Sequence, residues 1–286
     1  MPTSDFTPFF SSSNFQPTSI TRFIANFDSG AGTLFVDTDA GKAYLKAIGN
    51  PAGPHALACE WVGTRLASVV GLPTFDHAFL PVDEMDELPF FDKKSMAEPG
   101  PAFATRAEKG STWGRDKRLL SRIENPTDIT RMIVFDTWVL NYDRYGPAGC
   151  RVNTDNVFFS TETEGGMVEL RVMDHTHCFT NGAELTKRVQ RIGMIMDERI
   201  FGLFPEFREL LNREAVQAMC EQMATLGLDV IEDIVQMIPN AWSVSKEAKQ
   251  ALIQFISQRA AYLADTIEGR PFGGTQLELP NMDTEE

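Results

Sequence analysis

Asn141-Tyr142-Asp143-Arg144, then Thr154-Asp155-Asn156-Val157-Phe158-Phe159, then Val172-Met173-Asp174-His175 are the segments whose reading decides the fold. Two carboxylates and an amide stand at the ends of short apolar runs. The residues before the first carboxylate, 128–140, have helical periodicity and deliver Asp143 into a loop. Residues 167–173 alternate as a strand that Asp174 closes. A loop carboxylate such as Asp143 can orient an incoming hydroxyl and accept its proton, and Arg144 beside it helps it stay ionised. A carboxylate at a strand end, Asp174, can bind Mg²⁺ and through it the β- and γ-phosphates of a nucleotide. Asn156 offers the same ion a neutral oxygen. Together these groups supply most of what phosphoryl transfer asks of a protein.

Upstream, three short strands are expected at 21–27, 33–37 and 42–46, separated by hairpin-forming Asp28-Ser29-Gly30-Ala31-Gly32 and Thr38-Asp39-Ala40-Gly41. A helix from about 54 to 70 follows, closed by Gly71-Leu72-Pro73. Strands at 78–82 and 102–106 flank an acidic, proline-containing insertion. Beyond a hinge near 104–112 the chain turns helical, with helices expected at 128–140, 184–199, 212–224, 227–237 and 245–267 around a strand-rich centre at 155–178. The fold class is therefore α+β with two lobes, strand-rich then helical. The expected boundaries are a flexible segment 1–18, in which Phe9, Phe10 or Phe15 can dock, an N-lobe 19–106, a C-lobe 107–269 and an acidic tail 270–286.

With 286 residues, 43% hydrophobic and 23% charged, the chain can bury one large core or two joined ones. A formal net charge of −14 disfavours general binding to nucleic acid or anionic membrane. No apolar run is long enough to span a bilayer and the first twenty residues lack a signal-peptide pattern, so a cytoplasmic protein is expected. Cys59, Cys150, Cys178 and Cys220 have no metal-ligand spacing and read as small buried hydrophobes. His175 and His177 beside Asp174 lack a third ligand at zinc spacing and read as a structural or Mg²⁺-adjacent pair. Trp61, Trp138 and Trp242 read as core, whereas Trp113 reads as loop-borne over a cleft.

Local positive charge for a nucleotide must then come from few residues. Lys46, between Leu45 and Ala47 in a short strand, suits a phosphate clamp, with Glu60 on the next helix to fix it. Lys42 lies on the same side by parity, and a salt-bridged surface lysine is the alternative. Ser29, Gly30 and Gly32 can bring backbone N–H groups over phosphates, although an ordinary hairpin turn has the same composition. The Walker pattern is absent.

In this order the segments resemble the HipA-like protein kinases, whose catalytic motifs are also similar to those of type II phosphatidylinositol 4-kinases. Asn141-x-Asp143-Arg144 resembles their catalytic segment, Asp155-Asn156-Val157-Phe158 the strand after it, and Val172-Met173-Asp174-His175 their metal-binding segment. Ala43-Tyr44-Leu45-Lys46 resembles the nucleotide-lysine strand. The resemblance covers roughly 20–267. It implies an ATP- and Mg²⁺-dependent kinase acting on Ser/Thr hydroxyls of a protein, possible self-targets included. Lys46 would clamp phosphate, and backbone groups of Phe103, Ala104 and Thr105 would meet the adenine edge. The excursion Gly146–Asn153 is longer than the family interval and leaves Asn153 as a rival metal ligand to Asn156. His-Arg-Asp, Asp-Phe-Gly and Ala-Pro-Glu are absent, and the chain is short for the fuller toxin architecture. A small-molecule or lipid kinase and a nucleotide-binding pseudokinase acting as an interaction module are the alternatives; oligomeric state is open.

Overall fold

A computed structural model describes residues 15–92 and 94–273. The expectations placed on residues 1–14 and 274–286 lie outside the described residues. Contacts divide the chain into two units. The first holds the described residues up to Pro51 with Phe75–Ala107, and the second holds Ala52–Thr74 with those from Glu108 onward. The first helix thus groups with the second unit, a division that the linear boundary at 106 does not follow.

The first unit is an antiparallel sheet of β1 (Ile20–Asn26), β2 (Leu34–Thr38), β3 (Gly41–Lys46), β4 (His77–Val82) and β5 (Gly100–Arg106), in the order β1-β2-β3-β5-β4. The period-two pattern dictates its faces. Leu34 and Val36 of β2 and Ala43 and Leu45 of β3 are buried, while Phe35 and Tyr44 stack outside with ring centroids 4.8 Å apart. Thr38 closes the β2–β3 turn by donating to the Gly41 carbonyl at 2.6 Å, and Gly41 takes φ 108°. Phe15 docks on the core, as one of the three phenylalanines was expected to. The acidic insertion keeps Asp83, Glu84 and Glu87 in solvent but folds Leu88, Phe90 and Ala97 onto the same core.

The second unit contains α1 (Pro54–Val69), a three-stranded sheet of β6 (Gly110–Thr112), β7 (Val157–Ser160) and β8 (Glu169–Val172), and the helices α2 (Lys117–Leu120), α3 (Thr127–Val139), α4 (Ile192–Ile195), α5 (Arg213–Thr225), α6 (Leu228–Gln236) and α7 (Lys246–Thr266). Helix α3 is buried almost all round, the signature of a central helix. Asn212 and Ser245 cap α5 and α7 by accepting from Ala215 and Ala248 N–H groups at 2.8 and 3.1 Å. Trp61 and Trp138 are core, and their indole N–H groups donate to Ile234 and Ile256 carbonyls at 2.9 Å each. Trp113 is loop-borne as expected, just past β6, but it is core as well: it is 1% exposed and packs between Phe204 and Phe207.

The helix expected over 184–199 is a second correction. The segment forms a 3-10 turn, Lys187–Gln190, and the single turn α4, because Arg191 between them is extended at φ −63°, ψ 140°. Leu185, Val189 and Ile195 are buried all the same, so the apolar periodicity reflects anchoring rather than a continuous helix. Cys59, Cys178 and Cys220 are buried, whereas Cys150 is exposed. Burial pushes the Cys59 thiol up to about 12. Among the described residues no helix is long and apolar enough to cross a membrane.

Candidate active site

Helix α3 ends at Leu140, which takes the left-handed conformation at φ 52°, ψ 56°, while the Asn141 N–H donates back to the Asp136 carbonyl at 2.8 Å. The chain therefore turns sharply and presents Asp143 immediately beyond a rigid, buried helix. Asp136 itself is fully buried. Its carboxylate accepts from Arg144 Nε at 2.7 Å and from Asn141 Nδ2 at 3.0 Å. Burial pushes its carboxyl up, against the opposing pull of Arg144 and Asn141. Gly202 crosses close above it; a Cβ there would stand 2.4 Å from Asp136 Oδ2.

Arg144 is a strut rather than the partner of Asp143, which corrects the local pairing expected from sequence. It is fully buried. Besides Asp136 it donates to the Asn156 carbonyl and, at 2.8 Å, to the Met173 carbonyl. Val157 of β7 is paired with Val172 of β8, so these carbonyls lie at neighbouring strand ends. One guanidinium thus ties the end of α3 to the residue preceding β7 and the residue following β8, and brings the Asn156 and Asp174 segments to the Asp143 loop. An arginine fork with its donors fixed in one plane suits this task better than a lysine.

Asp143 is 5% exposed. Its Oδ1 lies 2.5 Å from Arg151 Nε, and its Oδ2 accepts from Asn156 Nδ2 at 3.0 Å and lies 3.5 Å from His177 Nδ1. Asn156 is buried and points its amide nitrogen at Asp143, leaving its oxygen as the atom suited to a cation. Asn153, the rival, spends its side-chain oxygen capping a 3-10 turn by accepting from the Asp155 N–H at 3.2 Å. Asp155 accepts from Thr112 Oγ1 at 3.1 Å, in keeping with a structural role.

Asp174 stands two residues past the end of β8, not at its last position, and takes φ 58°. A left-handed aspartate is uncommon outside turns and functional loops. Thr176 Oγ1 donates to its Oδ1 at 2.9 Å. The following residue is clamped: the His175 N–H donates to Glu60 Oε2 at 3.0 Å, and its Nδ1 lies 3.0 Å from Thr64 Oγ1. Gly63 of α1 makes room for this histidine, since a Cβ there would meet His175 Cβ at 2.5 Å. Glu60 therefore braces the Asp174 segment. The hard oxygen donors Asp174 and Asn156 fit a Mg²⁺ completed by phosphate and water better than a thiolate or imidazole metal. Among the described residues no cluster of three or more His, Cys, Asp or Glu is arranged to hold a metal by itself.

In the first unit, Lys46 is half-buried and opposite Phe103 in the β3–β5 register, whereas Lys42 is exposed, its Nζ 5.9 Å from the Phe35 ring centroid. The glycine-bearing turn is internally bonded. Gly32 donates to the Ser29 carbonyl at 2.9 Å, and Ser29 Oγ accepts from the Thr33 N–H at 2.9 Å. Gly32 takes φ 59° and passes so close to Phe90 and Pro51 that no Cβ fits, while Gly30 stands in open space. A role at the adenine edge is expected of the Phe103, Ala104 and Thr105 backbone. These residues lie in β5, which is hydrogen-bonded to β3 on one side and β4 on the other, so their N–H and C=O groups belong to the ladders.

Sequence reasoning missed Asp136, Arg151 and Arg259. The signal for Asp136 was a charge inside an apolar helix, costly unless paired. Arg259, fully buried in α7, donates to the Thr137 and Trp138 carbonyls near the end of α3 and to those of Met194 and Ile195. Burial pulls its guanidinium down to about 10.

A profile of the HipA-like kinases matches residues 20–270. The chain belongs to the HipA-like kinases. Phosphotransfer is the activity of that family, and the two-part α+β architecture agrees with it. A solved Helicobacter pylori proinflammatory kinase, CtkA, is similar in fold: TM-score 0.58 at 13% identity, covering 90% of this chain and 98% of that one. The Shewanella oneidensis MR-1 HipA chain, solved with HipB and operator DNA, aligns over 91% of this chain and 66% of its own at 13% identity and a TM-score of 0.37. No curated protein matches.

Proposed function

We propose that this kinase transfers the γ-phosphoryl group of ATP to Ser or Thr hydroxyls of a protein acceptor. The observation that carries the reading is Arg144, whose one guanidinium holds Asp136, Asn156 and Met173 and so gathers Asp143, Asn156 and Asp174. Asp143 orients the acceptor hydroxyl and takes its proton as the bond to phosphorus forms. Asn156 Oδ1 and the Asp174 carboxylate hold Mg²⁺. When bound, that ion neutralises charge on the β- and γ-phosphates. Asn156 Nδ2 keeps Asp143 in place, and Glu60 steadies Asp174 through the His175 N–H. Lys46 is assigned to the phosphates from its place in β3, and Gly30 to close backbone approach. In this reading the N-lobe corresponds to 19–106 and the C-lobe to 107–269.

The test is incubation of the full chain with Mg²⁺ and γ-labelled ATP, beside Asp143→Ala and Asp174→Ala, read by intact mass and by label on added proteins. Asp143→Ala should retain Mg²⁺-ATP binding and lose transfer by on the order of 10²-fold or more. Asp174→Ala should lose Mg²⁺-dependent binding. Label appearing on lipid or metabolite in place of protein would redirect the acceptor assignment. Wild type that binds Mg²⁺-ATP without any transfer would make the chain a nucleotide-binding interaction module.

A further inference from the structure

The excursion Gly146–Asn153 is not a loose loop. Tyr145 and Val152 form an antiparallel bridge, the Gly146 N–H donates to the Arg151 carbonyl at 2.8 Å, and the Asn153 N–H donates to the Arg144 carbonyl at 2.9 Å. Its base is fixed to the unit: the Tyr145 carbonyl accepts from the Gly202 N–H at 2.9 Å, and the Tyr145 ring packs on Phe204. Its tip turns through Ala148 at φ 55° and Gly149 at φ 70°. The hairpin thereby delivers one side chain to the site. Arg151, 48% exposed, sets its Nε 2.5 Å from Oδ1 of Asp143, whose side chain is 7% exposed.

That contact covers the atom which must receive the acceptor's proton. Oδ2 of Asp143 is already engaged by Asn156 and faces His177, so Oδ1 is the oxygen left for a hydroxyl. With the guanidinium seated 2.5 Å from Oδ1, an incoming hydroxyl has no approach to that oxygen. Arg151 must move for transfer to occur. Its charge then needs another anion, and its half-exposed, flexible side chain can reach one in solvent without disturbing the hairpin.

We propose that Arg151 is a specificity-determining residue that reads an anionic group, carboxylate or phosphate, carried by the protein acceptor beside its hydroxyl. That group draws the guanidinium off Asp143, so only an acceptor bearing it uncovers the base. This rests on the kinase reading above. It deepens that reading by naming the acceptor's chemistry: a Ser or Thr with an acidic or phosphorylated neighbour.

The experiment uses short synthetic peptides, each with one serine flanked by glutamate, by glutamine or by phosphoserine. Binding is followed by anisotropy with Mg²⁺ and a non-hydrolysable ATP analogue, and transfer is followed with γ-labelled ATP. Wild type should favour the glutamate over the glutamine peptide by about 10-fold in affinity and in KM, the size of one charge-assisted hydrogen bond. Arg151→Gln should erase that preference and raise kcat on the glutamine peptide, because Asp143 is uncovered; Arg151→Lys should restore part of the preference. The phosphoserine peptide separates phosphate from carboxylate recognition. Equal affinity of wild type for glutamate and glutamine peptides overturns the proposal, as does a preference that survives Arg151→Gln. A uniform fall of transfer to every peptide in Arg151→Gln also overturns it, making Arg151 a support of the hairpin. Arg151-dependent binding without any transfer would instead count against the kinase reading and leave the recognition intact.

Discussion

Arg144→Met tests the central strut. The side chain is isosteric enough to fill the space but removes a guanidinium that is fully buried and serves three segments. Breaking a buried ion pair by deleting one partner costs about 3–5 kcal/mol, because the other charge stays buried and uncompensated. Here that charge is Asp136, left with the single donor Asn141. The carbonyls of Asn156 and Met173 lose their donor too, at about 1–3 kcal/mol each where water cannot replace it. Part of this relaxes, so we expect a loss of about 4 kcal/mol. Against a total stability of about 5–15 kcal/mol this is a large fraction.

The loss should depend on pH. Burial already raises the Asp136 carboxyl above its unfolded value, so the folded chain holds more protons than the unfolded one between the two pKa values. Stability from this group therefore falls as pH rises through that window, and the penalty is complete above it. Removing Arg144 deletes the pull that holds the folded value down, so the window widens upward. The stability gap between wild type and Arg144→Met should be largest near neutral pH and narrow on acidification. Adding Asp136→Asn removes the stranded charge and should recover about 2 kcal/mol at neutral pH. Urea unfolding of the three proteins at neutral and mildly acidic pH reads all of this. A gap below about 1 kcal/mol, or one that does not change with pH, would refute the strut argument.

Asn156→Asp places a second carboxylate 3.0 Å from Asp143 and should lower Mg²⁺-ATP affinity by about 10-fold in calorimetry, since two such groups do not ionise together easily. Asn153→Asp keeps a capping oxygen for the Asp155 N–H and should stay within about 2-fold; the reverse ranking would move the ligand to Asn153. Lys46→Met should cut the transfer rate by on the order of 10²-fold, whereas Lys42→Met, whose lysine lies over an exposed Phe35–Tyr44 stack, should not. Gly63→Ala pushes a methyl to 2.5 Å from His175 Cβ and should destabilise by about 1–3 kcal/mol in urea unfolding and weaken Mg²⁺-ATP binding with it, while Gly30→Ala, which meets nothing, should change stability by less than about 0.5 kcal/mol.

The sheet of the first unit was legible because its signals are local. Alternation in Leu34–Thr38 and Gly41–Lys46 sets the buried face, and Thr38 to Gly41 sets the turn. The capped helices α5 and α7 were legible for the same reason. The segment 184–199 misled because the same apolar spacing serves a helix and a pinned, broken strand of turns; only the extended Arg191 separates them. Strand order is not local. Nothing in Phe103-Ala104-Thr105 says that β4, earlier in the chain, pairs with the far side of β5.

The candidate site divides along the same line. Asp143, Asn156 and Asp174 could be named from the chain because each carries a polar group at the end of an apolar run. Their partners could not, since a partner is fixed by packing across residues far apart in sequence. Arg144 sits beside Asp143 in the chain, yet its side chain reaches back to Asp136 and forward to Met173, so adjacency suggested the wrong pair. Asp143 takes its arginine from the returning strand of the excursion instead. The two arginines divide the work according to burial. The fully buried one has no room to exchange partners and sets geometry; the half-exposed one can exchange partners and is free to respond to what binds. A segment that looked like an insertion into the catalytic motif is thereby the part of this site with the most scope to choose an acceptor.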